Sequence, residues 1–116
     1  MPDPVDVGRL HAFCDGSADG VRTVIDIFLT DIAETITDLS VAVDRADAEA
    51  VRLLAHRGGG SSSACGATGL AALLRLLEDA HGTRSTADHG PLIRAVAEEL
   101  DDVQRFLRTY LEGLRT

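Results

Sequence analysis

Beyond Val21 the apolar residues fall at Val24, Ile25, Phe28, Leu29, Ile32, Ile36, Leu39 and Val43, and the pattern runs on to about Ala46. Steps of mostly three or four residues gather these side chains on one side of an α-helix but scatter them over both faces of a strand. The stretch therefore predicts a helix of about seven turns, close to 40 Å long. Such a helix cannot hide its stripe alone. Two later stretches carry the same rhythm, Leu70, Leu73, Leu74 and Leu77, then Leu92, Val96, Leu100, Val103, Leu107, Tyr110 and Leu114. Another stripe, Val51, Leu54, Ala55, Gly58, Ser62 and Cys65, uses mostly small side chains. No segment sustains apolar–polar alternation, so the expected fold is all-α: an antiparallel up-and-down four-helix bundle. A short extra N-terminal helix is expected over residues 5–13, with Val5, Leu10 and Phe13 as its apolar contacts.

The boundaries follow from local chemistry. Asp15-Gly16-Ser17 and Asp19-Gly20 read as turns, which starts the second helix at Val21. Asp47 can cap the third by accepting from the free amides of Ala48 to Ala50. Either Gly66 or Gly69 breaks that helix, and the fourth ends near Ala80 to Gly82. Residues 83–90 form a polar connection, after which Pro91 suits the first turn of the last helix because its missing N–H would be unpaired there anyway. There is no internal repeat. The 116 residues fit one domain over 1–116, and an initiator Met1 with a complete bundle reads as a free-standing protein.

Charge narrows the function. The formal charge is −8, and the basic residues are scattered, which argues against nucleic acid as a partner. All eleven basic residues are Arg. Without Lys there is neither Schiff-base chemistry nor a phosphate-loop lysine, so no ATP binding is expected. No apolar run approaches the roughly 18 residues of a membrane span and the N-terminus has no basic leader, so a cytoplasmic protein without membrane contact is expected. Cys14 and Cys65 read as free thiols.

One run stands apart: Ala55-His56-Arg57-Gly58-Gly59-Gly60-Ser61-Ser62-Ser63-Ala64-Cys65-Gly66-Ala67. Each Gly costs a helix interior about 1 kcal/mol relative to Ala, so three in succession need tertiary support. If the helix continues, Gly59 and Gly60 lie on the face of His56, one turn on, with Arg52 one turn before it. The imidazole then stands on an almost bare surface. Arg52, His56, Gly59, Gly60 and Ser63 make a candidate docking face for a partner. Other candidates are weaker. His11-x-x-Cys14 has a spacing two metal ligands could use, but no second pair accompanies it, and no bound metal is expected. His81 and His89 flank the polar connection and read as solvated. Ser61 to Ser63 lack a nucleophile elbow and read as helix-packing serines.

Ala55-His56, Gly60-Ser61-Ser62, Gly66-Ala67, Leu70, Leu73 and Leu76-Leu77-Glu78, with the upstream Phe28-Leu29-Thr30-Asp31 and Leu39-Ser40-Val41-Ala42, resemble the histidine-containing phosphotransfer (HPt) domains of bacterial phosphorelays. Gly58 stands where that pattern has a leucine and Gly59 where it has a lysine. The first change removes a packing side chain and the second a cation near the histidine. The resemblance implies that His56 accepts a phosphoryl group from an aspartyl phosphate on a response-regulator receiver domain or hybrid histidine kinase and hands it to another receiver. It implies a monomer with no cofactor of its own, Mg²⁺ being held by the receiver. The alternative is a helical adaptor that docks receivers or kinases without carrying phosphate. Bottom-up, the residue types suit transfer, because imidazole titrates near neutrality and bare neighbours let an acidic pocket close over it.

Overall fold

The computed structural model describes residues 3–14, 16–80 and 89–114. Five helices follow in order: α1 (Val7–Phe13), α2 (Ala18–Asp44), α3 (Ala48–Ala64), α4 (Thr68–Asp79) and α5 (Gly90–Leu114). No strand occurs among the described residues. Helices α2 and α3 pack together, as do α3 with α4, α4 with α5, and α5 with α2, so the four long helices close a bundle.

Local chemistry sets the ends of each element. Ser17 caps α2 by accepting from the Gly20 amide at 2.9 Å. The helix therefore starts at Ala18, before the expected Val21, and Asp19-Gly20 lies in its first turn rather than in a loop. An acidic Asp19 at that end also suits the helix dipole. Arg45, Ala46 and Asp47 then reverse the chain; Ala46 takes a left-handed φ of 56° and Asp47 caps α3 as expected. Of the two candidate breakers it is Gly66, at φ 83°, that ends α3, while Gly69 lies inside α4. Helix α4 ends at Asp79, slightly earlier than expected. Most of the polar connection, with His81, lies outside the described residues.

The core is built by the stripes. Ile25, Ile32 and Leu39 of α2 meet Val51 and Ala55 of α3, Leu70, Leu74 and Leu77 of α4, and Val96, Val103 and Leu107 of α5, all fully or almost fully buried. Each such aliphatic side chain contributes about 1.5–3 kcal/mol. Leu54, Leu92, Tyr110 and Leu114 are only half-buried, at the margins of their stripes. Helix α1 lies across the end of the bundle where α3 and α5 finish, with Val5 and Leu10 buried. The Asp6 amide donates to the Gly66 carbonyl at 2.7 Å, and His11 Nε2 hydrogen-bonds the Tyr110 hydroxyl.

Two expectations fail. Phe13 is 58% exposed although it lies one turn after Leu10; as the last residue of α1 it stands at the edge of an open apolar pocket with Val24, Ile27 and Phe28. His89 is buried at 1% rather than solvated, and neither ring nitrogen has a hydrogen-bond partner among the described residues.

Candidate functional site

Helix α3 has two faces. Val51, Ala55, Gly58 and Ser62 point inward and are buried. At Gly58 three helices converge: a Cβ there would stand 3.2 Å from Leu74 Cδ1 and 3.3 Å from Thr35 Cγ2. Thr35 turns its hydroxyl back to the Asp31 carbonyl at 2.8 Å, leaving its methyl to face the glycine. No packing void marks the place of the expected leucine, since Leu74, Thr35 and Ile32 fill it.

His56 lies on the other face, its side chain 73% exposed. Its Nδ1 lies 2.8 Å from Glu78 Oε2 on α4. A carboxylate oxygen accepts, so Nδ1 carries the proton; in the neutral ring the lone pair then falls on Nε2. Glu78 fixes the ring plane as well as the tautomer. What remains is an oriented, solvent-facing nitrogen nucleophile.

An open groove runs from this nitrogen between α3 and α4. Gly59, Gly60 and Ser63 form one wall, and Ala71, Arg75, Glu78 and Asp79 the other. A Cβ on Gly60 would meet nothing within 4 Å, so this wall is bare backbone. Arg9 of α1 closes the far end, its guanidinium donating to Ser63 Oγ at 3.2 Å. Arg52 is not part of the groove. Its guanidinium pairs with Glu49 at 2.7 Å, and that bond pushes its pKa above the ordinary arginine value.

The sequence thus led to His56, Gly59, Gly60 and Ser63, which the fold brings together, and to Arg52, which it leaves aside. Glu78, Arg75 and Arg9 were missed. Glu78 belonged to the Leu76-Leu77-Glu78 match, but only the tight Cys65-Gly66-Ala67 turn lays it beside a histidine 22 residues earlier.

A helical bundle presenting an exposed, carboxylate-oriented histidine beside a bare backbone groove is the architecture of a protein that offers an imidazole to another protein. The sequence model of the Hpt domain matches residues 23–106, and the chain belongs to that family. Among solved structures, the chain is similar to histidine-containing phosphotransfer protein B (HptB) from Pseudomonas aeruginosa PAO1. That likeness has 26% identity and a TM-score of 0.86, and it covers 97% of this chain and 98% of that one. The HPT domain of the Hpt sensor hybrid histidine kinase from Shewanella shares the fold, with a TM-score of 0.82, 18% identity and 97% of each chain covered. No curated protein matches the sequence. Among the described residues no helix is long and apolar enough to cross a membrane.

Proposed function

We propose that His56 is the phosphoryl carrier of this Hpt domain, taking the group on Nε2 from the aspartyl phosphate of a receiver domain and delivering it to the aspartate of another. Histidine phosphotransfer in a two-component phosphorelay is the activity of the family. The observation that carries the assignment to His56 is its Nδ1–Glu78 bond at 2.8 Å on a ring left largely in solvent.

In the forward step the Nε2 lone pair attacks phosphorus, the N–P bond forms, and the O–P bond to the partner's aspartate breaks, leaving a carboxylate. The ring becomes cationic as the bond forms, and the Glu78 carboxylate at Nδ1 stabilises that charge where it develops. Delivery reverses the same steps. The bundle supplies orientation, while the Mg²⁺ that neutralises the transferring group belongs to the receiver, so this chain needs no cofactor of its own. Gly59, Gly60 and Ser63 let the receiver's loops approach the backbone beside Nε2; Arg52, held by Glu49, lies outside the groove. The partners are receiver domains, free or within a hybrid kinase, met by a cytoplasmic monomer acting as one domain.

Incubation with a phosphorylated receiver, followed by mapping of acid-labile phosphate, tests this. Label should appear on His56 and vanish in His56→Gln. Docking without label in the parental protein would instead establish the adaptor reading.

A further inference from the structure

Phosphorylation would place about two negative charges on Nε2. The ring already leans on one carboxylate, Glu78, and Asp79 lines the same groove. Like charges gathered this closely repel, and the phosphorylated state is favoured by any cation that can reach it.

The arginines around the site differ in their freedom to do so. Arg52 is paired with Glu49 at 2.7 Å. Arg9 is anchored to Ser63, two turns along α3 from His56. Arg57 follows His56 directly and so projects about 100° around the helix. Arg75 is different. It is exposed, lines the groove, and makes no ion pair with any described residue.

Its level along the bundle is fixed by its neighbours. Arg75 precedes Glu78 by one turn on α4, and α3 runs the opposite way, so one turn back on α4 corresponds to one turn forward from His56. That is Gly59 and Gly60. A second measurement agrees: a Cβ on Gly59 would lie 3.8 Å from Leu74 Cβ and 3.9 Å from the Ala71 carbonyl, residues immediately before Arg75 and one turn before it. Because neither Gly59 nor Gly60 carries a side chain, nothing on α3 occupies the space between Arg75 and the imidazole's free edge.

We propose that Arg75 is the cation that meets the phosphoryl group on His56, reaching across the bare backbone of Gly59 and Gly60. The proposal rests on the assignment of His56 as the carrier. It places the site's positive charge on α4, opposite the position where the HPt pattern carries it on α3. The groove's other charged groups, Arg9 from α1 and Glu78 and Asp79 from α4, stay constant in the test below.

Phosphoramidate, a small donor that phosphorylates imidazole with loss of ammonia, loads the intact protein without any partner. ³¹P NMR then follows the titration of the phosphoryl group on His56. Removing a cation from beside a phosphate raises its titration midpoint, so Arg75→Ala should move it up by about half a unit. Arg75→Lys should leave it near the parental value, and Gly59→Lys placed in the Arg75→Ala background should bring it back. Loading of His56 from a phosphorylated receiver should slow several-fold in Arg75→Ala and recover in the same two rescues. An unchanged midpoint in fully phosphorylated Arg75→Ala overturns the role of Arg75 while leaving His56 as the carrier. Failure of the parental protein to form phosphohistidine at position 56 overturns both.

Discussion

Gly58 and Gly60 stand two residues apart on α3, and they do opposite things. Gly58 faces inward, where Leu74, Thr35 and Ile32 crowd the position of a Cβ; Gly60 faces outward, with no atom within 4 Å. The same residue type therefore serves packing on one side of the helix and access on the other. Three glycines in a row look like a weak point only until the two sides are separated. The inner one lets α2 and α4 close on α3, and that closure supports the helix the outer two would otherwise loosen.

The comparison can be broken most forcefully at the turn that aligns the two faces. Gly66 has φ 83°, and a Cβ there would fall onto the Asp6 carbonyl oxygen. Gly66→Ala should cost about 2–4 kcal/mol, read as a fall in denaturation midpoint, because left-handed strain and a backbone shift add together. A loss below about 1 kcal/mol would show that the turn does not set the α3–α4 register.

The next effect separates the two glycines directly. Gly58→Leu, the residue of the HPt pattern, should destabilise by about 1–3 kcal/mol through overpacking. Gly60→Ala should instead stabilise by up to about 1 kcal/mol through helix propensity, raising Tm by a few degrees. Equal effects of either sign would erase the distinction. Gly60→Gln should keep the stability gain and still block transfer from a receiver, since the bulk lies where docking needs backbone.

The smallest effect lies at the end of the inner face. Burial, with a lesser contribution from nearby Cys14, pushes the Cys65 thiol up to about 11 from its ordinary 9.0. Between those values the unfolded chain releases a proton that the folded chain keeps. Stability should therefore hold below about pH 9 and decline as pH rises towards 11. Denaturation midpoints for the parental protein and Cys65→Ala across that range should converge as pH rises. Parallel curves would mean the thiol is not shielded.

What the sequence made legible was whatever depends on period. The stripes of α2, α4 and α5 follow from spacing alone, and so does the separation of His56 from the Val51–Ala55–Gly58–Ser62 side. What it hid depends on tertiary register. Glu78 becomes the partner of His56 only after the Gly66 turn lays α4 on α3, and Arg75 acquires meaning only from that alignment. Arg52 was chosen by helical spacing, but Glu49 lies on the same helix three residues earlier and binds it. Ser17 captured the start of α2 from a stretch rich in turn residues. His89 is buried despite its polar flank, and spacing along the sequence carried no sign of that.

The central claim is that Glu78 holds the proton of His56 on Nδ1 and so presents Nε2 for phosphorylation. Long-range ¹H–¹⁵N NMR of the ring, before and after loading with phosphoramidate, reads both nitrogens at once. The account predicts a protonated Nδ1 and an unprotonated Nε2 in the neutral ring, then phosphorus on Nε2, with the tautomer preference weakened in Glu78→Ala. A proton resting on Nε2, or phosphorus appearing on Nδ1, would contradict it.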